Sequence, residues 1–159
     1  MTLRRGTVED LSYIVDLERT FRDQGYLGGD EIKVHERRLA HPDCWYAIVE
    51  TEGRRAGYAI LRGLTSPNRS VELKRIAIAD PGRGLGRRVL EAILEKVFDE
   101  LSAHRIWLDV FPHNSRARHV YRSIGFVEEG VLRECVKYGD MYRSLVLMSM
   151  LESEYRSLR

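Results

Sequence analysis

Val71-Glu72-Leu73-Lys74-Arg75-Ile76-Ala77-Ile78-Ala79 runs through Asp80-Pro81 into Gly82-Arg83-Gly84-Leu85-Gly86-Arg87-Arg88. The first segment has the composition of a strand. Behind the turn, Leu85, Val89, Leu90, Ile93, Leu94, Val97, Phe98 and Leu101 recur at helical intervals, the clearest apolar stripe in the chain. Arg105 to Phe111 reads as the next strand, so strand, glycine turn, helix and strand make a βαβ-like unit. Alternating glycines let the backbone approach a ligand closely, and free N–H groups at a helix N-terminus attract anions. Gly82, Gly84 and Gly86 are more than a bend requires, and Arg83, Arg87 and Arg88 add mobile positive charge.

Other phosphate motifs fit this turn poorly. A P-loop needs four residues between its glycines and then Lys-Ser or Lys-Thr, whereas Arg87-Arg88 follows here. A dinucleotide fingerprint wants glycine at position 87, where Arg87 stands. Asp109, near the end of the next strand, mimics its ribose-binding acid, but only one βαβ-like unit of the required doubly wound sheet is visible.

Outward from this centre, tight turns separate further strands. Thr2 to Gly6 is a short first strand, and Thr7 with Asp10 stands at capping-box spacing before a helix from about Val8 to Arg19. Gln24 to Gly29 reads as a loop, after which Asp30 caps a short helix through about Ala40. Trp45 to Val49 and Gly57 to Leu61 flank a hairpin at Glu52-Gly53-Arg54-Arg55, and Ser66 to Arg69 breaks the chain again. Beyond Phe111, Asn114 or Ser115 caps a helix with Ala117, Val120, Tyr121 and Ile124 inside, ending at Gly125. Val131 to Tyr138 and Met141 to Leu151 are strands around Gly139-Asp140. No repeat or linker appears, so residues 1–159 are expected to form a single domain of mixed α/β (α+β) class.

The composition is that of an ordinary globular chain. Its 159 residues are 43% hydrophobic and 31% charged, with a formal net charge of +2, which argues against a strongly basic nucleic-acid binder. Cys44 and Cys135 form neither a disulfide framework nor a metal motif, and the five histidines are scattered. No apolar run approaches a membrane span. The expectation is a cytoplasmic, metal-free protein with no membrane or nucleic-acid partner. Arginine outnumbers lysine by 22 to 4, which suits phosphate recognition as well as compositional bias.

The Gly-x-Gly-x-Gly turn between strand and helix resembles the pyrophosphate-binding motif of GNAT acetyltransferases. Asn114-Ser115-Arg116-Ala117-Arg118-His119-Val120-Tyr121-Arg122-Ser123-Ile124-Gly125-Phe126 is similar to that family's Asn-x-x-Ala-x-x-x-Tyr-x-x-x-Gly-Phe segment. The tail, Glu129-Gly130-Val131-Leu132-Arg133 leading to Tyr138-Gly139-Asp140, looks like the branch of ribosomal-protein-alanine and diamine acetyltransferases. The strong resemblance covers Val71 to Leu151. One departure is Pro81, which stands where the family usually has Gln or Arg and offers no donor.

The resemblance implies a central mixed, mostly antiparallel sheet of about seven strands flanked by about four helices. It implies acetyl-CoA as donor and direct attack by a primary amine in a ternary complex. The pantetheine arm would lie along Ile76, Ala77 and Ile78, with the Ile78 N–H facing the developing oxyanion. The pyrophosphate would rest on the N–H groups of Arg83, Gly84, Leu85, Gly86, Arg87 and Arg88. Asn114 would contact the cofactor arm, and Arg118 the nucleotide phosphate. Tyr121 would protonate the leaving thiolate. Glu72, an even number of residues before Ile76 and Ile78, is the expected base, while His35 reads as a structural histidine. Asp23, Asp30, Glu31, Glu134 and Asp140, with Tyr26, Tyr138 and Tyr142, suit a cationic acceptor such as a polyamine, or a protein N-terminus. A homodimer is compatible with this reading, and an inactive CoA-binding sensor or scaffold is the alternative.

Overall fold

A computed structural model describes residues 1–26 and 28–159; Leu27, in the loop expected over Gln24 to Gly29, lies outside them. Seven strands form one sheet: β1 (Thr2–Arg5), β2 (Cys44–Thr51), β3 (Arg54–Arg62), β4 (Ser70–Ile78), β5 (Arg105–Val110), β6 (Val127–Tyr138) and β7 (Met141–Leu151). Their order is β1-β2-β3-β4-β5-β7-β6, and every pairing is antiparallel except β4 with β5. Consecutive strands account for the antiparallel pairs β2–β3, β3–β4 and β6–β7, whereas β1–β2 and β5–β7 are joined through intervening elements, and the one parallel pair needs the crossover helix that the glycine turn starts.

The described helices are α1 (Leu11–Asp23), α2 (Ile32–Leu39), α3 (Leu85–Glu95), α4 (Ser115–Ser123) and α5 (Glu152–Ser157). Alternation along the strands sends Tyr46, Ile48, Tyr58 and Ile60 to the face covered by α1, with Leu11 and Ile14 buried among them. Ala47, Val49, Ala59 and Leu61 point the other way, into the larger core under α3, with Val89, Leu90, Ile93 and Val97. The mixed, mostly antiparallel architecture expected from the resemblance is therefore present.

Several boundaries differ from the sequence reading. Helix α5 is additional to the four expected, because six residues with only Tyr155 buried leave no readable stripe. Helix α1 follows a single 3-10 turn, Val8–Asp10, and runs on to Asp23. The Asp10 carboxylate accepts from the Thr7 N–H at 2.9 Å, as the capping spacing suggested. Asp30 does not cap α2: Glu31 holds that position, and the Asp30 carboxylate turns to Arg38 and Arg75 instead. Strand β6 starts at Val127, before Val131, as an exposed edge strand whose pairing to β7 slips at two bulges.

Candidate active site

Parallel pairing between β4 and β5 is limited to Ser70, Val71 and Glu72 against Arg105, Ile106 and Trp107. Beyond that point the strands part, and a cleft of about 1390 Å³ opens between them. It is lined by Leu73 to Ile78 of β4 and Leu108 to Val110 of β5, and it continues past the glycine turn at one end and under the α1–α2 loop at the other.

The orientation of the β4 backbone follows from one bond. The Ala79 N–H donates to the Ala56 carbonyl at 2.9 Å, in register with the β3–β4 ladder. Alternation then turns Ala77 toward β3 and turns the N–H and C=O groups of Ile76 and Ile78 into the gap. Of the three residues expected to meet a pantetheine arm, Ile76 and Ile78 offer backbone groups to the cleft and Ala77 does not. Unpaired strand groups of this kind suit the amides of an extended ligand.

At the turn, Gly84 adopts φ +71° and Gly82 φ +121°, both conformations natural to glycine. Helix α3 has no side-chain cap, and its first closing bond runs from the Arg88 N–H to the Gly84 carbonyl. The N–H groups of Leu85, Gly86 and Arg87 are thus left without an intrahelical partner, an anion site with positive helix-dipole potential. Arg88 is excluded from the expected cradle because its N–H belongs to the helix ladder, and neither Arg83 nor Arg88 lines the cleft. Pro81 does line it.

The arginines of α4 separate into two roles. Arg118 is turned away: it donates to Glu128 from Nε and Nη2 and to the Pro112 carbonyl from Nη1. Arg116 lines the cleft, with its Nη2 3.7 Å from where a Cβ on Gly82 would lie. A helical offset of two residues points these side chains in nearly opposite directions, so it is Arg116 and not Arg118 that faces the glycine turn. Asn114 caps α4 by accepting from the Ala117 N–H at 3.2 Å, and it also lines the cleft. Arg87 bridges Glu91 and Ser123, tying α3 to α4 beside the turn.

Tyr121 lies in the wall of the cleft on α4, packed at 5.8 Å from the Phe126 ring. Burial, and then the Asp109 charge, push its hydroxyl above the ordinary phenol range, so it stays protonated. Asp109 lines the same cleft from β5. Burial raises its carboxyl, with Lys74 opposing, which makes it a better proton acceptor near neutral pH than a solvated aspartate. The sequence signal for it was an acid within the apolar strand Ile106 to Val110, read there only as a ribose-contact mimic.

Glu72 is not in the cleft. Arg75 pairs with Ile60 and Leu73 with Leu61, so Lys74 is an extra residue that reverses the side-chain alternation. The bulge sends Glu72 to the face opposite Ile76 and Ile78. There its carboxylate accepts from Arg62 at 2.6 Å, with Lys74 at 3.7 Å. Glu72 is thereby an internal ion-pair partner outside the cleft lining, away from the position expected of a base.

On the α1 side of β4 lies a buried polar group, centred on Glu18, that the sequence reading does not single out. Glu18 accepts from the Tyr58 hydroxyl at 2.7 Å, Arg75 at 2.7 Å, His35 at 3.0 Å and the Asp30 N–H at 3.0 Å. His35 is fully buried and bonded on both ring nitrogens, with Tyr46 at 2.8 Å, which agrees with its structural reading. Arg75 carries this network to the edge of the cleft.

Comparison with known proteins follows the same lines. The sequence profile of the acetyltransferase (GNAT) family matches residues 11–126. The spermidine N(1)-acetyltransferase of Vibrio cholerae is 27% identical over 164 residues, covering 98% of this chain and 95% of that protein. The N-alpha-acetyltransferase RimI of Mycobacterium tuberculosis is 35% identical over 101 residues, covering 61% of each. Among solved structures, the V. cholerae spermidine N-acetyltransferase in complex with CoA and spermine superposes with a TM-score of 0.85 at 27% identity, covering 98% of this chain and 97% of that one.

Proposed function

The chain belongs to the acetyltransferase (GNAT) family, and we propose that the β4–β5 cleft is where it moves an acetyl group from acetyl-CoA to a primary amine. The observation that carries this is the splay itself. It leaves the outward backbone groups of Ile76 and Ile78 open to the same cleft that Gly84, Gly86 and Arg87 line at the start of α3. The diphosphate would rest on the N–H groups of Leu85, Gly86 and Arg87, with Arg87 and Arg116 beside it, and the pantetheine amides along β4. Asn114 flanks the arm. One domain spanning residues 1–159 carries the reaction, as the single sheet supports.

The amine attacks the thioester carbonyl while the displaced electron pair moves onto the oxygen, and the Ile78 N–H stabilises that charge. As the carbonyl re-forms, the C–S bond breaks. Tyr121 donates its proton to the departing thiolate, and Asp109, directly or through water, takes the proton lost by the ammonium. The cycle closes when Asp109 releases the proton it took and Tyr121 takes one up. Neutral amine and acetyl-CoA thus give amide and CoA thiol with no net proton change, while an amine arriving as ammonium first loses its extra proton to solvent. The inactive scaffold alternative has no observation in its favour.

The test is release of CoA thiol from acetyl-CoA with an amine panel, followed in wild type and in Tyr121→Phe and Asp109→Asn variants. The reading predicts amine-dependent release that both substitutions reduce. Release that neither substitution changes, with chemistry rate-limiting, contradicts the assignment.

A further inference from the structure

We infer that Tyr138 and His113 are positioning residues for the amine acceptor. They fix the segment Arg22 to Tyr26 as one wall of the acceptor end, and so set the acceptor KM without touching the reacting atoms. The inference rests on the transferase reading above, in which the diphosphate and pantetheine take the glycine turn and β4. That leaves the end beneath the α1–α2 loop to the amine.

Arg22, Asp23, Gln24 and Tyr26 line that end, yet they belong to no strand of the sheet. The segment is the last turn of α1 and the bend after it, closed by its own bonds. The Gly25 N–H donates to the Arg22 carbonyl at 2.9 Å and the Tyr26 N–H to the Phe21 carbonyl at 3.1 Å. Gly25, at φ +75°, supplies the left-handed residue with which such a helix end turns. Further along, the anchor is inside the protein: the Asp30 N–H donates to Glu18, and the Asp30 carboxylate meets Arg38 and Arg75.

Two side chains from the opposite wall make the other attachment. The Tyr138 hydroxyl, on β6, donates to the Arg22 carbonyl at 3.0 Å, and His113 Nε2, beyond the end of β5, donates to the Gly25 carbonyl at 2.8 Å. Among the described residues these are the hydrogen bonds that join the segment to that wall. The rings are themselves held: His113 stacks with Tyr26 at 5.8 Å and with Phe111 at 5.4 Å, and Arg143 lies over Tyr138 at 4.2 Å. Both donors end on main-chain carbonyls, so these side chains act on the acceptor through the wall they hold. A wall ordered in advance costs an incoming amine nothing. With either bond gone the amine must order it on binding, which lowers affinity and leaves the chemistry alone.

Tyr138→Phe and His113→Phe remove the donors and keep aromatic rings in place. The full chain is assayed by thiol release at saturating acetyl-CoA, with whichever of aminobutane, diaminobutane, γ-aminobutyrate and an N-terminal tetrapeptide the wild type uses fastest. Expected is an amine KM about three- to tenfold higher in each variant, the worth of one hydrogen bond, with kcat and the calorimetric affinity for acetyl-CoA unchanged. Because both bonds hold one wall, the double variant raises KM by less than the product of the single effects. His113→Gln, whose amide can donate from the place of Nε2, recovers most of the loss. Hydrogen exchange in the CoA-bound protein without amine reads the wall itself: the Gly25 and Tyr26 amides exchange faster in the Phe variants, those of β2 do not, and saturating amine restores protection. An unchanged KM in both variants, a fall in kcat at constant KM, or an equal loss of acetyl-CoA affinity overturns the inference. So does a raised KM with exchange at Gly25 and Tyr26 unaltered, which marks direct contact with the amine. Should His113→Phe not fold, Tyr138→Phe decides alone. If the wild type releases no thiol with any amine, the transferase reading fails and this inference with it; release by the wild type with KM unmoved in the variants sinks this inference only.

Discussion

Replacing Glu18 by alanine should destabilise the fold by about 3–5 kcal/mol, the usual cost of removing one partner from a buried ion pair. Glu18 is 1% exposed and accepts from four groups supplied by β3, β4, α2 and the α1–α2 loop. Its loss strands the Tyr58 hydroxyl and the His35 ring nitrogen inside the protein, while Arg75 retains Asp30. A second route gives a similar size. Burial alone would raise the Glu18 carboxyl, but the His35 hydrogen bond and the Arg75 charge outweigh it and hold the pKa at about 2. Against an unfolded value of 4.5, that is worth about 3 kcal/mol at neutral pH. The folded pKa is the lower one, so this stabilisation is complete above about 4.5 and disappears as the pH falls toward 2. Urea denaturation at several pH values is the assay. At pH 7 the midpoint of Glu18→Ala should drop with m unchanged, and the gap from wild type should close in acid. Glu18→Gln should be intermediate, because the amide keeps one acceptor oxygen. A loss below about 1 kcal/mol at pH 7, the level of an exposed pair, would refute the reasoning.

Three further outcomes follow from the cleft. Tyr121→Phe should lower kcat by about 10²- to 10⁴-fold, the range of general acid catalysis, with acetyl-CoA affinity by calorimetry unchanged. Asp109→Asn should abolish the acidic limb of the pH–kcat/KM profile; in wild type that limb lies above the ordinary carboxylate range because burial raises the group. Gly84→Ala places a Cβ in open space but at φ +71°; it should cost about 1 kcal/mol of stability in urea and weaken acetyl-CoA binding several-fold.

The glycine turn and the stripe behind it were legible because their spacing is local: three alternate glycines and an uninterrupted helical period leave few alternatives. The places of Tyr121 and Asn114 in the cleft wall were readable for the same reason, each held at a fixed offset on one helix. Glu72 was misread because even-step alternation presumes an unbroken ladder, and the extra residue at Lys74 shows only once β3 is laid against β4. Arg118 and Arg116 differ by two positions on one helix; what separates them is Glu128, which arrives from β6. Glu18 could have been noticed, since it sits four residues after Ile14 and seven after Leu11, an acid on the apolar stripe of α1. Its partners come from distant segments, which periodicity along one helix does not reveal.

The transfer itself is tested most directly by mixing the protein with acetyl-CoA, with and without an amine, and measuring free thiol and acetylated amine together. Direct attack predicts no thiol without amine, and equal amounts of thiol and acetylated amine when it is present. One equivalent of thiol released per protein in the absence of amine, with an acetylated chain seen by mass spectrometry, would contradict it.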